Sequence, residues 1–316
     1  MPISVIICTY RRADDIRRIL ECLAAQTLSD FEVLVVDGSG EEPIVRDAVA
    51  EVARGVAAGM RLQVIESPAG LTRQRNAGLA RAGGEIICFL DDDVTVDSRF
   101  LETVRELMDS PDMRDVGGLT GFDQENYPQP ISWRWRMRRL LGTTPGLEPG
   151  VADRLGRHAP LSFVRQPLER LHVGWLPGFC MIYRRESIGD LRFDEALPTY
   201  GGEDRDFSFA VGERWRLLLC GSLIVRHHSS PTARSSAVRR VYETGFGTGR
   251  TFAKRARGVR DAASIAHYIG CEFLLDMVAF TRRPSVDGFR MPFARARGIV
   301  AGLSSLPRAG RPRAAL

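Results

Sequence analysis

The segment from residue 85 to residue 93 most constrains what this chain can fold into. A short apolar run follows a Gly-Gly pair and ends in three consecutive aspartates, Asp91, Asp92 and Asp93. Such a run is typical of a strand buried on both faces, as in a parallel sheet, and the carboxyl edge of such a sheet is where ligands bind. Carboxylates crowded at that edge indicate a site for Mg²⁺ or Mn²⁺, because these ions prefer carboxylate oxygen. The alternative is a solvated acidic turn that caps a helix beginning near Ser98.

Strand and helix patterns alternate through the first 90 residues. Strand-like apolar runs at 3–8, 32–36, 62–66 and 85–90 are separated by segments of helical periodicity, one of which covers residues 71–81. This alternation predicts an α/β fold with a mostly parallel central sheet flanked by helices. The second strand ends at Asp37, so Asp37 and the aspartate triplet should lie on the same edge of the sheet.

The regular pattern ends between residues 122 and 172. This stretch contains a run in which tryptophan and arginine alternate, beginning at Trp133. One interpretation is a functional loop region whose aromatic and basic side chains stack on bases or sugar rings or lie at a membrane interface. The other is a surface amphipathic helix anchored by Trp133 and Met137. Strands are predicted again at 175–183, at 217–219 and at 223–225, the last followed by His227 and His228.

Composition narrows the class of protein. The 316-residue chain has a formal net charge of +5 and a pI of about 9.1, and Lys254 is its only lysine. The arginine excess suits phosphate groups or anionic surfaces and does not identify nucleic acid. Six cysteines without a CxxC pair indicate reduced thiols in a cytosolic protein. Met1 leads directly into the strand-like run at residues 3–8 without a basic n-region or cleavage site, so no signal peptide is expected. No run of 18 uninterrupted apolar residues is present, so no membrane span is expected.

An ordered set of short motifs resembles family 2 glycosyltransferases of the GT-A fold over roughly residues 1 to 230. The motifs are Thr9-Tyr10-Arg11, Val35-Val36-Asp37-Gly38-Ser39, Arg75-Asn76-Ala77-Gly78, Phe89-Leu90-Asp91-Asp92-Asp93, Gly202-Glu203-Asp204 and Val225-Arg226-His227. The resemblance implies a metal-dependent inverting transferase that moves a sugar from a nucleotide-diphosphate donor, with a UDP-sugar favoured, to an acceptor hydroxyl. The expected process is cell-envelope polysaccharide or glycolipid synthesis.

The resemblance also implies roles for individual residues. The expected donor-binding residues include Thr9, Tyr10 and Asp37 for the nucleoside, Arg75 for the base or phosphate side, and Asp91 nearer the ribose. Arg11 and Asp92 are also expected to bind the donor. Asp93 and His227 are expected to bind a divalent metal, Mg²⁺ or Mn²⁺, and the His227-His228 doublet leaves two candidates for the histidine ligand. Asp204 matches the general base, and Glu203 and Trp175 are expected to bind the acceptor.

The expected organisation is a GT-A catalytic domain at residues 1–232, followed by a C-terminal helical extension with a disordered basic tail at 233–316. Residues 1–121 form the nucleotide-sugar half and residues 122–232 the acceptor half. The basic helices after residue 235 suit peripheral contact with the inner, cytoplasmic face of a membrane, or else packing and homo-oligomerisation. The acceptor is expected to be a carbohydrate or a lipid-linked sugar, and no nucleic acid partner is expected.

Other functional classes fit the sequence less well. A Rossmann dehydrogenase needs G-x-G-x-x-G after its first strand, and Thr9-Tyr10-Arg11-Arg12 stands there instead. A nucleotidyltransferase should carry a glycine-rich, lysine-bearing phosphate loop near the N-terminus, which is absent from the sequence. The remaining alternative is a catalytically inactive GT-A-fold nucleotide-binding or scaffold protein, against which the intact Asp91, Asp93 and Asp204 argue.

Overall fold

The computed structural model describes residues 1–55, 60–228 and 236–306. Strands and helices alternate in its first part as predicted, and the helix predicted at 71–81 has those bounds. The elements are β1 (Ile3–Thr9), α1 (Ala13–Ala24), β2 (Phe31–Asp37), α2 (Ile44–Ala53), β3 (Met60–Glu66), α3 (Leu71–Arg81), β4 (Ile86–Asp91), β5 (Val94–Val96), α4 (Phe100–Asp109) and β6 (Val116–Asp123).

The second part is less regular and ends in three long helices. Its elements are α5 (Trp133–Leu140), β7 (Arg170–Val173), β8 (Cys180–Arg184), α6 (Arg185–Ile188), α7 (Glu203–Gly212), β9 (Arg216–His227), α8 (Ala237–Arg255), α9 (Gly258–Arg282) and α10 (Val286–Leu303). The expected start of the basic helical region, Ser235, and the expected disordered basic tail beyond residue 306 lie outside the described residues.

In the described residues, nine strands form one sheet in the order β3-β2-β1-β4-β8-β6-β9-β5, with β7 also paired to β9. The strands from β3 to β4 are parallel, as predicted, whereas β8 runs antiparallel to β4 and β6. The sheet is therefore mixed. In the parallel part Thr9 pairs with Asp37 and Cys8 with Asp91, so the carboxyl ends of β1, β2 and β4 meet at one edge.

Side chains of the parallel strands alternate between two apolar cores. Val5 and Val33 belong to the core that packs against α1, α2 and α4, and Ile6 and Leu34 belong to the core on the opposite face. Because both faces are covered, β1, β2 and β4 consist mostly of apolar residues, whereas apolar residues of the edge strand β3 alternate with polar ones. Polar residues concentrate where the strands end, at the edge of the sheet.

Three predicted elements differ from the structure. The two short strands expected at 217–219 and 223–225 are one strand, β9, because the Gly-Ser pair between them lies where its register against β6 shifts instead of forming a turn. The strand expected at 175–183 begins only at Cys180, and Pro177 and Gly178 belong to the loop before it. Within the irregular region, a helix forms at α5, and its anchoring differs from the prediction: Trp133 and Met137 are only half-buried.

Ion pairs hold α5 against the C-terminal helices. Arg134 and Arg138 donate to the carboxylate of Glu272, which is fully buried, and Arg134 also binds Asp276. Breaking such a buried ion pair by removing one partner typically costs about 3–5 kcal/mol. The tryptophan-arginine run therefore attaches the irregular region to α9 through its arginines.

Among the described helices, α9 is long and apolar enough to cross a membrane by length and composition, although 28% of its most apolar window is buried. The expectation of no span relied on an uninterrupted apolar run, and Glu272 and Asp276 interrupt the run here. Both acids are buried and paired with arginines of α5 and α10. These contacts bind one face of α9 to the rest of the protein.

Close packing at a glycine brings α8 against the loop before α7. A Cβ atom on Gly247 would lie 1.6 Å from the carbonyl oxygen of Gly201, a distance that no side chain tolerates. The Thr244 hydroxyl donates to the Tyr200 carbonyl oxygen at 3.2 Å. Helix α8 is thereby fixed against the loop that leads into α7.

Candidate active site

A cavity of about 1160 Å³ opens at the carboxyl edge of the parallel strands. Its walls come from the ends of β1 and β4, the loop before β8, and the first turns of α7 and α8. It brings together most of the predicted site residues, namely Thr9, Tyr10, Arg75, Asp91, Asp92, Asp93, Trp175, Glu203, Asp204 and His227. Arg11 and Asp37 are not among its lining residues.

The middle aspartate of the triplet is buried. The carboxylate of Asp92 accepts hydrogen bonds from the Thr9 hydroxyl at 2.8 Å and from Arg12 Nη1 at 2.8 Å. Burial raises the pKa of Asp92 to about 7, although the charge of Arg12 opposes this shift. Asp92 therefore connects the end of β4 to the end of β1 through hydrogen bonds, and its neighbours Asp91 and Asp93 line the cavity.

Asp91, Asp93 and His227 form a cluster whose potential ligand atoms all lie within 4.8 Å of one another. His227 Nε2 is 3.3 Å from Asp93 Oδ1, and the imidazole stacks on the Phe179 ring at 5.0 Å. Burial lowers the pKa of His227, but the hydrogen bond and charge of Asp93 outweigh it and raise the pKa above its ordinary value. Two carboxylates and an imidazole at this spacing are suited to a divalent cation.

The structure distinguishes the two adjacent histidines. Val94 of β5 pairs with His227 of β9, which places His227 directly beside the triplet. The His228 side chain instead bonds the Thr95 hydroxyl through Nε2 at 2.9 Å. His227, and not His228, thus belongs to the cluster.

A buried arginine links this cluster to the acidic start of α7. Arg75 is 2% exposed, and its guanidinium donates to Glu203 Oε1 at 3.0 Å, to Asp91 Oδ1 at 3.2 Å and to the Gly178 carbonyl oxygen at 3.0 Å. Burial and the neighbouring charge of Asp204 raise the pKa of Glu203 to about 7, while Arg75 acts in the opposite direction. Arg75 thus binds Asp91 of the metal-ligand cluster and Glu203 of the acidic start of α7.

The two adjacent acids at the start of α7 have different surroundings. The Glu203 side chain is 7% exposed and engaged with Arg75, whereas the Asp204 side chain is 18% exposed. Asp204 accepts hydrogen bonds from the backbone N–H groups of Gly178 at 3.0 Å and Arg205 at 2.8 Å. These two hydrogen bonds hold the Asp204 carboxylate at the cavity wall.

Two predicted nucleoside contacts lie near the cavity without lining it. Asp37 is 3% exposed, and its Oδ1 accepts the backbone N–H of Ser39 at 2.8 Å. Arg11 has a positive φ of 56° and pairs with Glu42 at 2.6 Å, away from the triplet. The next residue, Arg12, reaches the triplet instead.

Sequence reasoning missed four charged residues that line the cavity. Arg12 directly follows the Thr9-Tyr10-Arg11 motif, so its position was a usable signal. Arg239, Arg240 and Glu243 reach the cavity from α8, and Arg239 Nε bonds Glu243 Oε1 at 2.8 Å. Their arginine-rich pattern was interpreted as a membrane or packing helix, because nothing local indicates that α8 folds back onto the sheet edge.

Comparison with known proteins identifies the family of the chain. The model of the glycosyl transferase family 2 matches residues 4–192, which is more than half of the chain. The chain belongs to this family. The succinoglycan biosynthesis protein ExoW of Rhizobium meliloti is 36% identical over 226 residues, which cover 69% of this chain and 66% of that protein. The resemblance inferred from the short motifs is therefore confirmed.

A solved structure of low sequence identity confirms the fold. A mannosyltransferase from Pyrobaculum calidifontis, solved with GDP-Man and Mn²⁺, aligns with a TM-score of 0.61 at 15% identity and covers 96% of this chain and 87% of that one. A glucosyl-dolichyl phosphate glucuronosyltransferase of Haloferax volcanii is 29% identical over 143 residues, which cover 42% of this chain and 44% of that protein. The chain spans about half or less of the length of several such curated relatives.

Proposed function

We propose that this protein is a metal-dependent inverting glycosyltransferase that transfers a sugar from a nucleotide-diphosphate donor to an acceptor hydroxyl. The observation that carries the proposal is the set of residues that line one cavity. The lining combines the cluster of Asp91, Asp93 and His227 with a partly exposed carboxylate, Asp204, at the start of a helix. This is the pair of groups that the reaction needs, because one must oppose leaving-group charge and the other must accept a proton.

Asp91, Asp93 and His227 would hold the divalent ion. Their donor set suits Mn²⁺ or Mg²⁺, and the related mannosyltransferase was solved with Mn²⁺ in the presence of its GDP-sugar. When bound, such an ion neutralises the charge that accumulates on the departing nucleotide diphosphate. Arg75, fully buried beside Asp91, offsets part of the negative charge that the cluster would otherwise carry.

Asp204 is assigned as the general base. It accepts the proton of the acceptor hydroxyl while that oxygen bonds to the anomeric carbon and the bond to the diphosphate oxygen breaks on the opposite face. A single displacement of this kind inverts the anomeric centre and needs no covalent nucleophile. Glu203 is the less accessible acid, and its pairing with Arg75 gives it a positioning role at the boundary of the acceptor site.

The donor is assigned to the β1 side of the cavity, where the end of β2 lies next to the end of β1. Thr9, Tyr10 and Asp37 lie at the ends of these strands, where a nucleoside would meet the aspartate triplet at its diphosphate end. A UDP-sugar is the proposed donor. Trp175 lines the same cavity as Asp204, and its aromatic ring is the proposed contact of an acceptor sugar.

The C-terminal helices are proposed as an extension after residue 232 that completes the cavity and contacts a membrane surface. Large apolar side chains are exposed on neighbouring turns of α9 and α10: Leu274 is 62% exposed, Phe289 50% and Phe293 47%. The nearby exposed arginines include Arg283 and Arg290. Apolar anchors flanked by arginine suit peripheral binding to anionic lipid, which would place the enzyme at the inner face of the membrane, near lipid-linked acceptors.

A thermal-shift titration of nucleotides and nucleotide sugars, with and without Mn²⁺, tests the proposed function. A ligand that binds only the folded state stabilises it by about 2.7 kcal/mol at 100 times its Kd, so a true donor should raise the Tm most when Mn²⁺ is present. Asp93→Ala should abolish the Mn²⁺-dependent part of this shift. Asp115→Ala, which removes a 61% exposed carboxylate in a surface ion pair, is the matched control and should behave like the wild type.

An Asp93→Ala protein with an unchanged Mn²⁺ dependence would remove Asp93 from the metal site. Mn²⁺-dependent release of sugar from the donor distinguishes an enzyme from an inactive nucleotide-binding scaffold. The scaffold would bind the donor and leave it intact.

A further inference from the structure

A second, smaller cavity of about 220 Å³ lies where α5, α7 and the three C-terminal helices meet. We call it the arginine cavity, because Arg138, Arg157, Arg205 and Arg295 line it. Within the described part of the chain, no aspartate or glutamate is among its lining residues. The wall therefore presents positive charge to the interior without a lining carboxylate.

Three of the arginines form ion pairs with carboxylates that do not line the cavity. Arg138 Nε donates to Glu272 at 2.7 Å and Arg295 Nε to Asp276 at 2.7 Å. Arg157 is held in the same way by Asp153 at 2.6 Å. Each pairing fixes one side of a guanidinium whose five N–H groups exceed what one carboxylate accepts.

Arg205 differs from the other three. Its Nη1 lies 2.7 Å from His158 Nε2, and the nearest carboxylate oxygen paired with it among the described residues is Asp204 Oδ1, 3.9 Å from Nε. Burial and the charges of Arg205 and Arg138 lower the pKa of His158 well below its ordinary value. His158 is thus a neutral acceptor, and it supplies no negative charge to the cavity.

Two hydroxyl groups in the cavity wall have no hydrogen-bond partner among the described residues. Thr251 is 8% exposed, and Tyr268 is packed edge-on against Phe252 at 5.2 Å. Buried polar groups in native proteins are nearly always paired, so the hydroxyl of the buried Thr251 indicates a ligand or ordered water, and the half-buried Tyr268 adds a second hydroxyl to the wall. The volume is room for several waters at about 30 Å³ each, or for one polyatomic anion.

We propose that the arginine cavity binds a phosphoryl group, either a free phosphate or diphosphate or the phosphate of a lipid-linked molecule. Guanidinium and hydroxyl donors are the groups that bind phosphate oxygens, and they converge here without a competing carboxylate in the wall. The cavity also adjoins the candidate active site. Arg205 follows Asp204 directly, and His158 packs against Trp175 with ring centroids 5.3 Å apart.

A ligand in the arginine cavity would therefore contact residues that adjoin both Asp204, the proposed base, and Trp175, the proposed acceptor contact. The proposal does not depend on the proposed transferase activity, because binding is measured without any sugar donor. Calorimetric titration of the full chain with inorganic phosphate and pyrophosphate, in EDTA and in the Asp93→Ala background, excludes metal-dependent binding in the larger cavity.

The test variant is Thr251→Val with Tyr268→Phe, which removes both unpartnered hydroxyls and nearly preserves volume. The matched control is Thr281→Val with Tyr242→Phe, which makes the same changes on α9 and α8 outside the cavity. Affinity for pyrophosphate or phosphate should fall at least about tenfold in the test variant and stay within about twofold in the control. A second variant, Arg157→Gln, should weaken binding independently, because it removes one of the guanidinium groups that line the cavity. The fold should tolerate this change, because the Arg157 side chain is 21% exposed.

No binding by the parent protein at millimolar concentration, or equal affinity in the parent and in both cavity variants, would overturn the proposal. A water-soluble short-chain prenyl diphosphate separates the two sources of the phosphoryl group. Tighter binding than pyrophosphate supports a lipid-linked source, and equal or weaker binding supports the free anion.

Discussion

The choice of Asp204 as the base gives the sharpest prediction, because two adjacent acids compete for the role. Asp204→Asn keeps the size of the side chain and removes the proton acceptor. General-base catalysis typically contributes about 10²–10⁴ in rate, so kcat should fall by that factor. At 1.36 kcal/mol per tenfold, the loss corresponds to about 2.7–5.4 kcal/mol of transition-state stabilisation.

The structure also sets what Asp204→Asn should do to stability. The carboxylate accepts one backbone N–H on each side, from Gly178 and from Arg205. An asparagine presents only one oxygen, so its amide nitrogen must face one of these donors. An unsatisfied buried donor costs about 1–3 kcal/mol, and the partial exposure of this side chain favours the lower end.

The assay is steady-state transfer together with donor affinity measured by calorimetry. Asp204→Asn should lose kcat with a nearly unchanged donor Kd, whereas Glu203→Gln should lose less and act mainly through the acceptor KM. Near wild-type turnover in Asp204→Asn would refute the assignment. A larger loss of kcat in Glu203→Gln, at unchanged donor affinity and stability, would transfer the role to Glu203.

Three further predictions concern other parts of the molecule. Asp37→Ala should weaken metal-free UDP binding by about 1.5–3 kcal/mol, the value of a hydrogen bond to a charged group. Asp47→Ala, which changes an exposed residue of α2, should leave the affinity unchanged. Equal UDP affinities of the wild type and Asp37→Ala in calorimetry would count against the nucleoside contact. The pKa of Glu203 is raised from 4.5 to about 7, so the folded state keeps a proton that the unfolded state releases, and this group should make the free energy of unfolding fall as pH rises from about 4.5 to 7. Glu203→Gln should flatten that fall in urea titrations across this window, and an identical slope would contradict the buried-carboxyl argument. In flotation with anionic liposomes at moderate salt, Phe289→Ser with Phe293→Ser should move the protein to the soluble fraction, whereas Val259→Ser, on an 86% exposed residue of the same helical extension, should not. A wild type that never floats would favour packing or oligomerisation of these helices.

Local patterns were sufficient for the framework of the first part of the chain, from β1 to β4. The alternation of apolar strands and amphipathic helices predicted the order of elements from β1 to β4, and it gave α3 its correct bounds. These features depend on hydrophobic periodicity and on glycine at helix ends, which act over a few residues. The same reasoning placed Asp37 and the aspartate triplet on one edge, because parallel strands end together.

The second half needed long-range information. Regular alternation stops after β6, and the antiparallel insertion of β8 between β4 and β6 has no local signature. The continuity of β9 was also hidden, because a Gly-Ser pair resembles a turn when its partner strand is unknown.

The chemistry of the site was decided by pairs that lie far apart in sequence. Arg75 bonds Glu203 across 128 residues, and this pairing separates the roles of two acids that look equivalent in the chain. His227 reaches Asp93 only because β5 pairs with β9. The sequence by itself determined which residue types stand at the strand ends. The tertiary structure decided which of them meet, because burial and charge pairing depend on neighbours that only the complete fold brings together.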